Sequence, residues 1–349
     1  MKLRRKSIRI FLALSMALTM ISCGNTNSNS QTGSERFQEE NKIDSQETEG
    51  YAAEEINFDY ASETELLKRY PIFSKGEEIQ FTYDFSCPEY QELLNKYPLK
   101  EIAGEGSEFE RVLRLMGEYS GRLEHKSNYD NSVDENALAL LEYSLDQPEN
   151  GINCRAKGEI LNEMCLALGI YSRRVSINPY SSIDSDSHVV NEIFDTQRNK
   201  WIMVDMTTDS YVVDSNDTPL SLLEIRQCGI KDSYCALVSQ GERIEAGSEK
   251  GYSTNSLTYY MKNMFFFKIY FYQGFGTRDG QDEIAYFVPD GYDIKKRMIS
   301  KTEYTLEFLK QDPQYEGWVK ECETELNEYK EATFIIGDVD SLEENVQAK

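Results

Sequence analysis

Three residues of this 349-residue chain carry side chains that together can do covalent chemistry: Cys154 in GINCRAKG, His188 in DSHVVNE and Asp205 in KWIMVDMTTD. A thiol is a strong nucleophile as the thiolate, a form that a neighbouring imidazole and a helix N-terminus both favour. The imidazole takes the proton and later returns it to the leaving group, while a carboxylate fixes its tautomer and orientation. These are the parts of acyl transfer through a thioester. The chain holds only two histidines, His125 and His188. A general base working near neutral pH therefore has few candidates, and His188 is the better placed.

The surrounding pattern supplies elements that can position the three. Asn153 is a good N-cap, Leu161, Met164 and Leu168 follow at helical spacing, and Gly169 supplies a C-cap. Cys154 then stands at the first position of a buried helix, in the positive field of its dipole. Residues 189–194 and 201–204 read as two strands joined by the polar turn 195–199. The midpoint between His188 and Asp205 falls inside that turn. Hairpin pairing is expected to bring the two almost opposite each other on neighbouring strands, with the register to the residue left open.

Around this centre, Ile79, Phe81, Tyr83 and Phe85 alternate with polar residues as an amphipathic strand, and Ser86 and Pro88 open a helix. Phe109, Val112, Leu113, Met116 and Leu123 recur at helical spacing. So do Leu138, Leu141 and Leu145, behind a capping-box pattern from Ser132 to Glu135. These stripes read as core faces that buttress the cysteine helix. Beyond about residue 251, strands are expected over 265–272 and 284–288, around a Gly-rich connection. Helices near 302–311 and 316–331 and a short strand at 333–336 complete the chain. This region reads either as an accessory lobe or as an extension of the catalytic sheet. The aromatic run Tyr259, Tyr260, Phe265, Phe266, Phe267, Tyr270 and Tyr272 reads as core in preference to a carbohydrate- or peptide-binding face.

Four of these segments, GINC (151–154), LGIYSRRV (168–175), HVVNE (188–192) and WIMVD (201–205), resemble the transglutaminase-like superfamily, a circularly rearranged relative of the papain fold. The likeness runs over roughly residues 109–208. It implies an α+β core with helices packed on an antiparallel sheet, Cys154 as nucleophile, His188 as base and acid, and Asp205 as the orienting carboxylate. Many relatives carry an aromatic residue two positions after the histidine, where this chain has Val190. An oxyanion needs donors, and the Cys154 backbone N–H at a helix start is the first. Relatives often take the second from a side chain ahead of the cysteine helix. The candidates are His125 and Tyr129 in EHKSNYD and Gln147 in DQPENG, and an H-x-x-N element in bacterial relatives favours His125. The reaction implied is a cysteine-dependent acyl transfer on amide bonds of a protein or peptide, with hydrolysis favoured and amine cross-linking also open. The alternative is a non-catalytic binding or scaffold module on the same fold.

The N-terminus reads as an export signal: a basic head (Lys2, Arg4, Arg5, Lys6, Arg9), an apolar stretch too short to span a bilayer with ease, and Met20-Ile21-Ser22-Cys23. The last resembles a bacterial lipobox, which implies cleavage before Cys23, lipidation of Cys23 and anchorage to the outer face of the cytoplasmic membrane or cell surface. Residues 24–50 are rich in Asn, Ser, Gln, Glu and Thr and read as a flexible tether. The expected organisation is thus signal peptide 1–22, lipidated tether 23–50, transglutaminase-like domain 51–250 and α+β extension 251–349. Loss of residues 1–22 removes five basic and no acidic side chains, taking the net charge from −24 to −29. So acidic a chain does not bind nucleic acid or anionic lipid by electrostatics. Cysteines are too sparse for a disulfide scaffold, Cys165 and Cys322 read as core, and pairing of Cys228 with Cys235 is open. No zinc site and no cofactor are expected. The Asp184–His188 run reads as a solvated loop leading into the histidine strand.

Overall fold

A computed structural model describes residues 59–184, 186–246, 256–276 and 283–344. The export signal, Cys23 and the tether lie outside the described residues, as does part of the Gly-rich connection. Helix α1 (Tyr60–Arg69) is capped by Asp59, which accepts from the Ser62 N–H at 2.9 Å. Of the strand expected over 79–85 only β1 (Thr82–Tyr83) forms, pairing in parallel with residues 272–273. Ile79 is buried there and Phe85 is not, so alternating hydrophobicity marks the path of the chain more than a ladder. Helices α2 (Glu89–Lys96), α3 (Leu99–Ala103) and α4 (Glu108–Tyr119) follow. A capping box between Ser107 and Glu110 starts α4, which buries Phe109, Val112, Leu115, Met116 and Tyr119.

Helix α5 (Ala137–Ser144) begins differently from expectation. Asn136, not Ser132, caps it by accepting from the Ala139 N–H at 2.9 Å. Glu135 is drawn away into ion pairs with Arg155 and Arg174. The buried face is Ala137, Leu140, Leu141 and Ser144, leaving Leu138 and Leu145 half-buried. Helix α6 (Cys154–Ala167) has the expected ends. Asn153 Oδ1 accepts from the Ala156 N–H at 3.0 Å, and Gly169 takes a φ of +75° while the Ile170 N–H closes on the Cys165 carbonyl at 2.9 Å.

The remaining chain builds the sheet. Strands β2 (Ser172–Asn178), β3 (His188–Asp195), β4 (Lys200–Asp205) and β5 (Ser210–Val213) precede helix α7 (Leu222–Lys231) and strands β6 (Ala236–Ser239) and β7 (Glu242–Glu245). Then come helix α8 (Leu257–Asn263), strands β8 (Phe266–Tyr270), β9 (Tyr272–Gln273) and β10 (Ile284–Phe287), helices α9 (Ile294–Leu309) and α10 (Glu316–Glu331), and β11 (Ile335–Ile336). Helix α9 starts well before the expected 302, capped by Asp293, which accepts from the Lys296 N–H at 2.9 Å. Nine strands form one sheet in the order β11-β10-β8-β2-β3-β4-β5-β6-β7, antiparallel apart from the β10–β11 edge. The later strands thus extend the sheet that carries His188 and Asp205. The architecture is α+β, with helices packed on both faces of the sheet. Residues of α2 to α6 share one core with Ile193, Ile202 and Val204, while α1, α7, α8 and α9 share another with Val175, Val190 and Met203. Cys228 and Cys235 are free, buried thiols, and burial pushes the Cys165 and Cys322 thiols up to about 12.

One buried ion pair ties several of these elements together. Arg173 of β2 donates to Glu192 Oε2 of β3 at 2.6 Å and to the Leu342 carbonyl at 2.7 Å, and its guanidinium lies 4.0 Å from the centroid of the Trp201 ring. Glu192 Oε1 accepts from the Leu222 N–H at the start of α7 at 3.0 Å. The two side chains are 1% and 2% exposed. Removing one partner strands the other charge in the core, at a cost of about 3–5 kcal/mol. Arg173→Met is therefore expected to destabilise the fold by about that amount, with the double change Arg173→Met/Glu192→Leu recovering part of the loss. Chemical denaturation of the three proteins checks this, and a single variant as stable as wild type would contradict it.

Candidate active site

Helix α6 approaches the sheet closely because residue 158 is glycine. A Cβ there would sit 3.1 Å from Val189 Cγ1, and the Gly158 carbonyl accepts from Asn191 Nδ2 at 3.0 Å. Val189, Asn191 and Ile193 thus face the helix, so the opposite parity of β3, His188, Val190 and Glu192, faces the other layer. Strand β3 pairs with β4 from Asn191↔Val204 to Asp195↔Lys200. Continued by one step, that register sets Val190 opposite Asp205. His188 is then a diagonal neighbour of Asp205 on the same face, two residues from the directly opposed position expected from the turn midpoint. A long side chain bridges such a diagonal readily.

His188 Nε2 lies 2.6 Å from Asp205 Oδ2, and both groups are buried. Cys154 lies close enough to His188 for its charge to help raise the ring. With Nε2 engaged by Asp205, Nδ1 is the nitrogen left to face a thiol. Cys154 itself is half-buried at the first turn of α6. The structure therefore brings thiol, imidazole and carboxylate together, with the imidazole and carboxylate hydrogen-bonded. Burial disfavours a charged His188, but the Asp205 carboxylate, the Cys154 charge and the bond to Asp205 outweigh it and hold the ring well above its ordinary range. Burial likewise works against Asp205. Its charge is nevertheless kept, down to about 2, by His188, by the Tyr260 hydroxyl and by the Thr207 N–H.

The oxyanion candidates separate. The Cys154 N–H is at the helix start and has no partner within α6. His125 bridges in parallel to Ile152, two residues before the cysteine, and its ring nitrogen Nε2 meets Ser127 Oγ at 3.2 Å. One edge of the ring reaches solvent. Crowding by surrounding atoms and the charges of Lys157 and His188 push it down to about 4, against the pull of Asp205, so it is neutral at physiological pH. Tyr129 and Gln147 serve elsewhere. The Tyr129 hydroxyl accepts from the Val133 N–H at 3.3 Å, and Gln147 braces the turn before α6 by accepting from Asn150 Nδ2 at 3.0 Å.

Several neighbours were not legible as site residues. Lys157, one turn after Cys154, is buried with its ammonium 3.4 Å from the Ser120 carbonyl. Burial lowers it, opposed by Asp205, Glu124 and Cys154. Tyr259 and Tyr260, read as core, flank the imidazole. The Tyr259 ring meets His188 edge-on at 5.5 Å and its hydroxyl donates to Asp186 Oδ1 at 3.1 Å, while Tyr260 donates to Asp205 Oδ2 at 2.5 Å. The loop before His188 is not simply solvated. Buried Lys262 bonds Asp184 Oδ2 at 3.0 Å and the Asp186 carbonyl at 3.1 Å, tying the loop to α8.

The titrations fix a pH signature. The raised His188 contributes stability that is complete below its unfolded value near about 6.5 and is lost as pH rises through the folded value. The depressed Asp205 contributes stability present above about pH 4 and lost as pH falls toward about 2. Thermal melts against pH are expected to show the advantage of wild type over His188→Gln shrinking on the alkaline side. The advantage over Asp205→Asn should shrink on the acid side. Advantages independent of pH would contradict an ionised pair.

The chain was compared with known proteins. Residues 98–206 match the family model of the transglutaminase-like superfamily. Among solved structures, the chain is similar to a candidate cysteine protease from Cytophaga hutchinsonii at 18% identity and a TM-score of 0.27. The match covers 48% of this chain and 56% of that one, so the chain spans little more than half of that protein. No curated protein matches it. That match to the transglutaminase-like superfamily spans Cys154, His188 and Asp205.

Proposed function

We propose that this protein is a cysteine-dependent acyl-transfer enzyme that opens amide bonds of a protein or peptide through a thioester on Cys154. The observation that carries the reading is the buried, hydrogen-bonded His188–Asp205 pair with Cys154 beside it at a helix N-terminus. Membership of residues 98–206 in the superfamily supports it.

In this reading His188 Nδ1 takes the thiol proton, and the Cys154 sulfur attacks the amide carbonyl. As the S–C bond forms, the carbonyl π pair moves onto oxygen while the C–N bond stays intact, and the Cys154 N–H with neutral His125 donates to that oxyanion. His188 gives its proton to the amine nitrogen as the C–N bond breaks, leaving a thioester. Water, deprotonated by the same ring, attacks the thioester and releases the acid and the thiol. An amine in place of water gives a new amide. Hydrolysis is favoured because water is always present, whereas an amine acceptor needs a dedicated site. Asp205, buried and multiply bonded, keeps the ring in the tautomer that has Nδ1 free to accept.

The enzyme reading extends to location. The basic head, short apolar stretch and Cys23 of the N-terminus support export and lipid anchorage, with the acidic domain held on the outer face of a membrane.

Alkylation of Cys154 by iodoacetamide, followed as mass gain on the peptide that contains it, tests the chemistry. Wild type is expected to react at about pH 5 to 6 and His188→Ala to lose that acid reactivity. On a generic protein substrate such as denatured casein, Cys154→Ala is expected to abolish both new amino termini and ammonia release, a loss of about 10³-fold or more. Reactivity that rises only at alkaline pH and ignores His188→Ala would overturn the reading and leave a binding module. For the anchor, labelled fatty acid is expected on the wild-type chain in a bacterial host and not on Cys23→Ser.

A further inference from the structure

Asp205 Oδ2 accepts two short hydrogen bonds at once, from His188 Nε2 at 2.6 Å and from the Tyr260 hydroxyl at 2.5 Å. Tyr260 is fully buried. Its oxygen is steadied by Ser210 Oγ at 3.1 Å and Thr208 Oγ1 at 3.4 Å, and those two hydroxyls meet each other at 2.7 Å. Asp205 is completed by the Thr207 N–H on Oδ1 at 2.7 Å and by Thr208 Oγ1 on Oδ2 at 3.3 Å. Tyr260 comes from α8, outside the stretch 98–206 that holds the thiol, imidazole and carboxylate.

We propose that Tyr260 is a positioning residue of the acyl-transfer site, setting through Asp205 both the orientation of His188 and how tightly it holds its proton; the inference rests on the thiol–imidazole reading above. A carboxylate oxygen shared between two donors gives less of its charge to each. With Tyr260 in place, Asp205 is firm enough to fix the ring yet not so strong a partner that the imidazolium withholds its proton from a departing amine. Without the hydroxyl, Asp205 acts on His188 with more of its charge and in a less fixed plane. Other groups that bear on the pair are Cys154 and Lys157 from α6, His125 from the segment ahead of it, Asp186 from the loop before β3, and Tyr259 from α8. Tyr259 differs from its neighbour because its hydroxyl goes to Asp186 and only its ring edge meets His188.

Iodoacetate reads both members of the thiol–imidazole pair. Its rate with Cys154 rises as the thiol loses its proton and falls as the imidazolium, which attracts the anionic reagent, loses its own. Measured against pH on the full chain, the falling limb in Tyr260→Phe is expected to move to higher pH by about half a unit or more. 3-Fluorotyrosine at position 260, a more acidic phenol of nearly the same shape, is expected to move that limb the opposite way. A Tyr260→Phe protein that melts as a folded chain but overlays the wild-type profile would overturn the proposal and leave the hydroxyl a packing group. If Tyr260→Phe does not fold, the fluorotyrosine protein decides, and an unmoved limb overturns the proposal. Failure of the underlying reading looks different: wild type itself would show no acid reactivity and no falling limb.

Discussion

The hydrogen-bond register of the β3–β4 hairpin is the constraint on which the candidate site depends. Side chains on a strand alternate between faces, so a slip of one residue would turn His188 to the opposite face, away from Asp205. The register is pinned at the turn, at the far end of the hairpin from the imidazole. Asp195 is fully buried there, accepting from the Arg198 N–H at 2.8 Å within the turn and from the Phe109 N–H of α4 at 3.2 Å. Thr196 donates to Glu108 at the start of the same helix, and Asn199 closes the turn at a φ of +50°. An apolar hairpin with a looser turn would have no comparable reason to keep one pairing. The geometry of the chemistry is therefore set by polar groups that take no part in it.

The same principle governs helix α6. It is buried on nearly all sides, yet its sequence includes Lys157, Glu159, Asn162 and Glu163. Each of these four side chains meets a neighbour from another element, although Asn162 Oδ1 is left without a hydrogen-bond partner. Glu163 accepts from the Ala137 N–H at the start of α5 and from the Gly276 N–H, both at 2.7 Å, and Glu159 pairs with Arg174 of β2 at 2.6 Å. Burial raises both the Glu159 and the Glu163 carboxyls, and Glu159 adds to the rise at Glu163, a sign that the interior tolerates little free charge. Asp205, by contrast, remains charged because four donors converge on its two oxygens. Charge is kept in the core only where it is surrounded by donors or by an opposite charge.

What could be read from the sequence was local or carried by a periodic pattern. The Asn153 cap, the glycine after α6, the two hairpin strands and the α10 helix are consequences of neighbours in the chain. The failures have a common cause. Ser132 and Glu135 have capping-box spacing, but two arginines from α6 and β2 compete for Glu135 and leave the cap to Asn136. The alternation at 79–85 is real as burial, yet a strand needs a partner, and the available edge, β9, is two residues long. Tyr259 and Tyr260 lie in an aromatic run that reads as core, and they are core. That two consecutive hydroxyl-bearing rings also meet the loop and carboxylate of a site more than 50 residues upstream has no local signal. The two-residue offset between His188 and Asp205 likewise depends on where the turn closes, which the polar stretch 195–199 leaves open.

The origin of Tyr260 in α8 bears on how the molecule comes into being. A chain made from its N-terminus presents the thiol, the imidazole and the carboxylate well before the helix that completes their surroundings, and still earlier than Leu342, whose carbonyl closes on Arg173. Contacts of such long sequence separation form late in folding, because loop closure must precede them. Until then Asp205 is a carboxylate short of a donor and the ring beside it is loosely held. Synthesis order thus makes all three residues available before the donor set around Asp205 is complete.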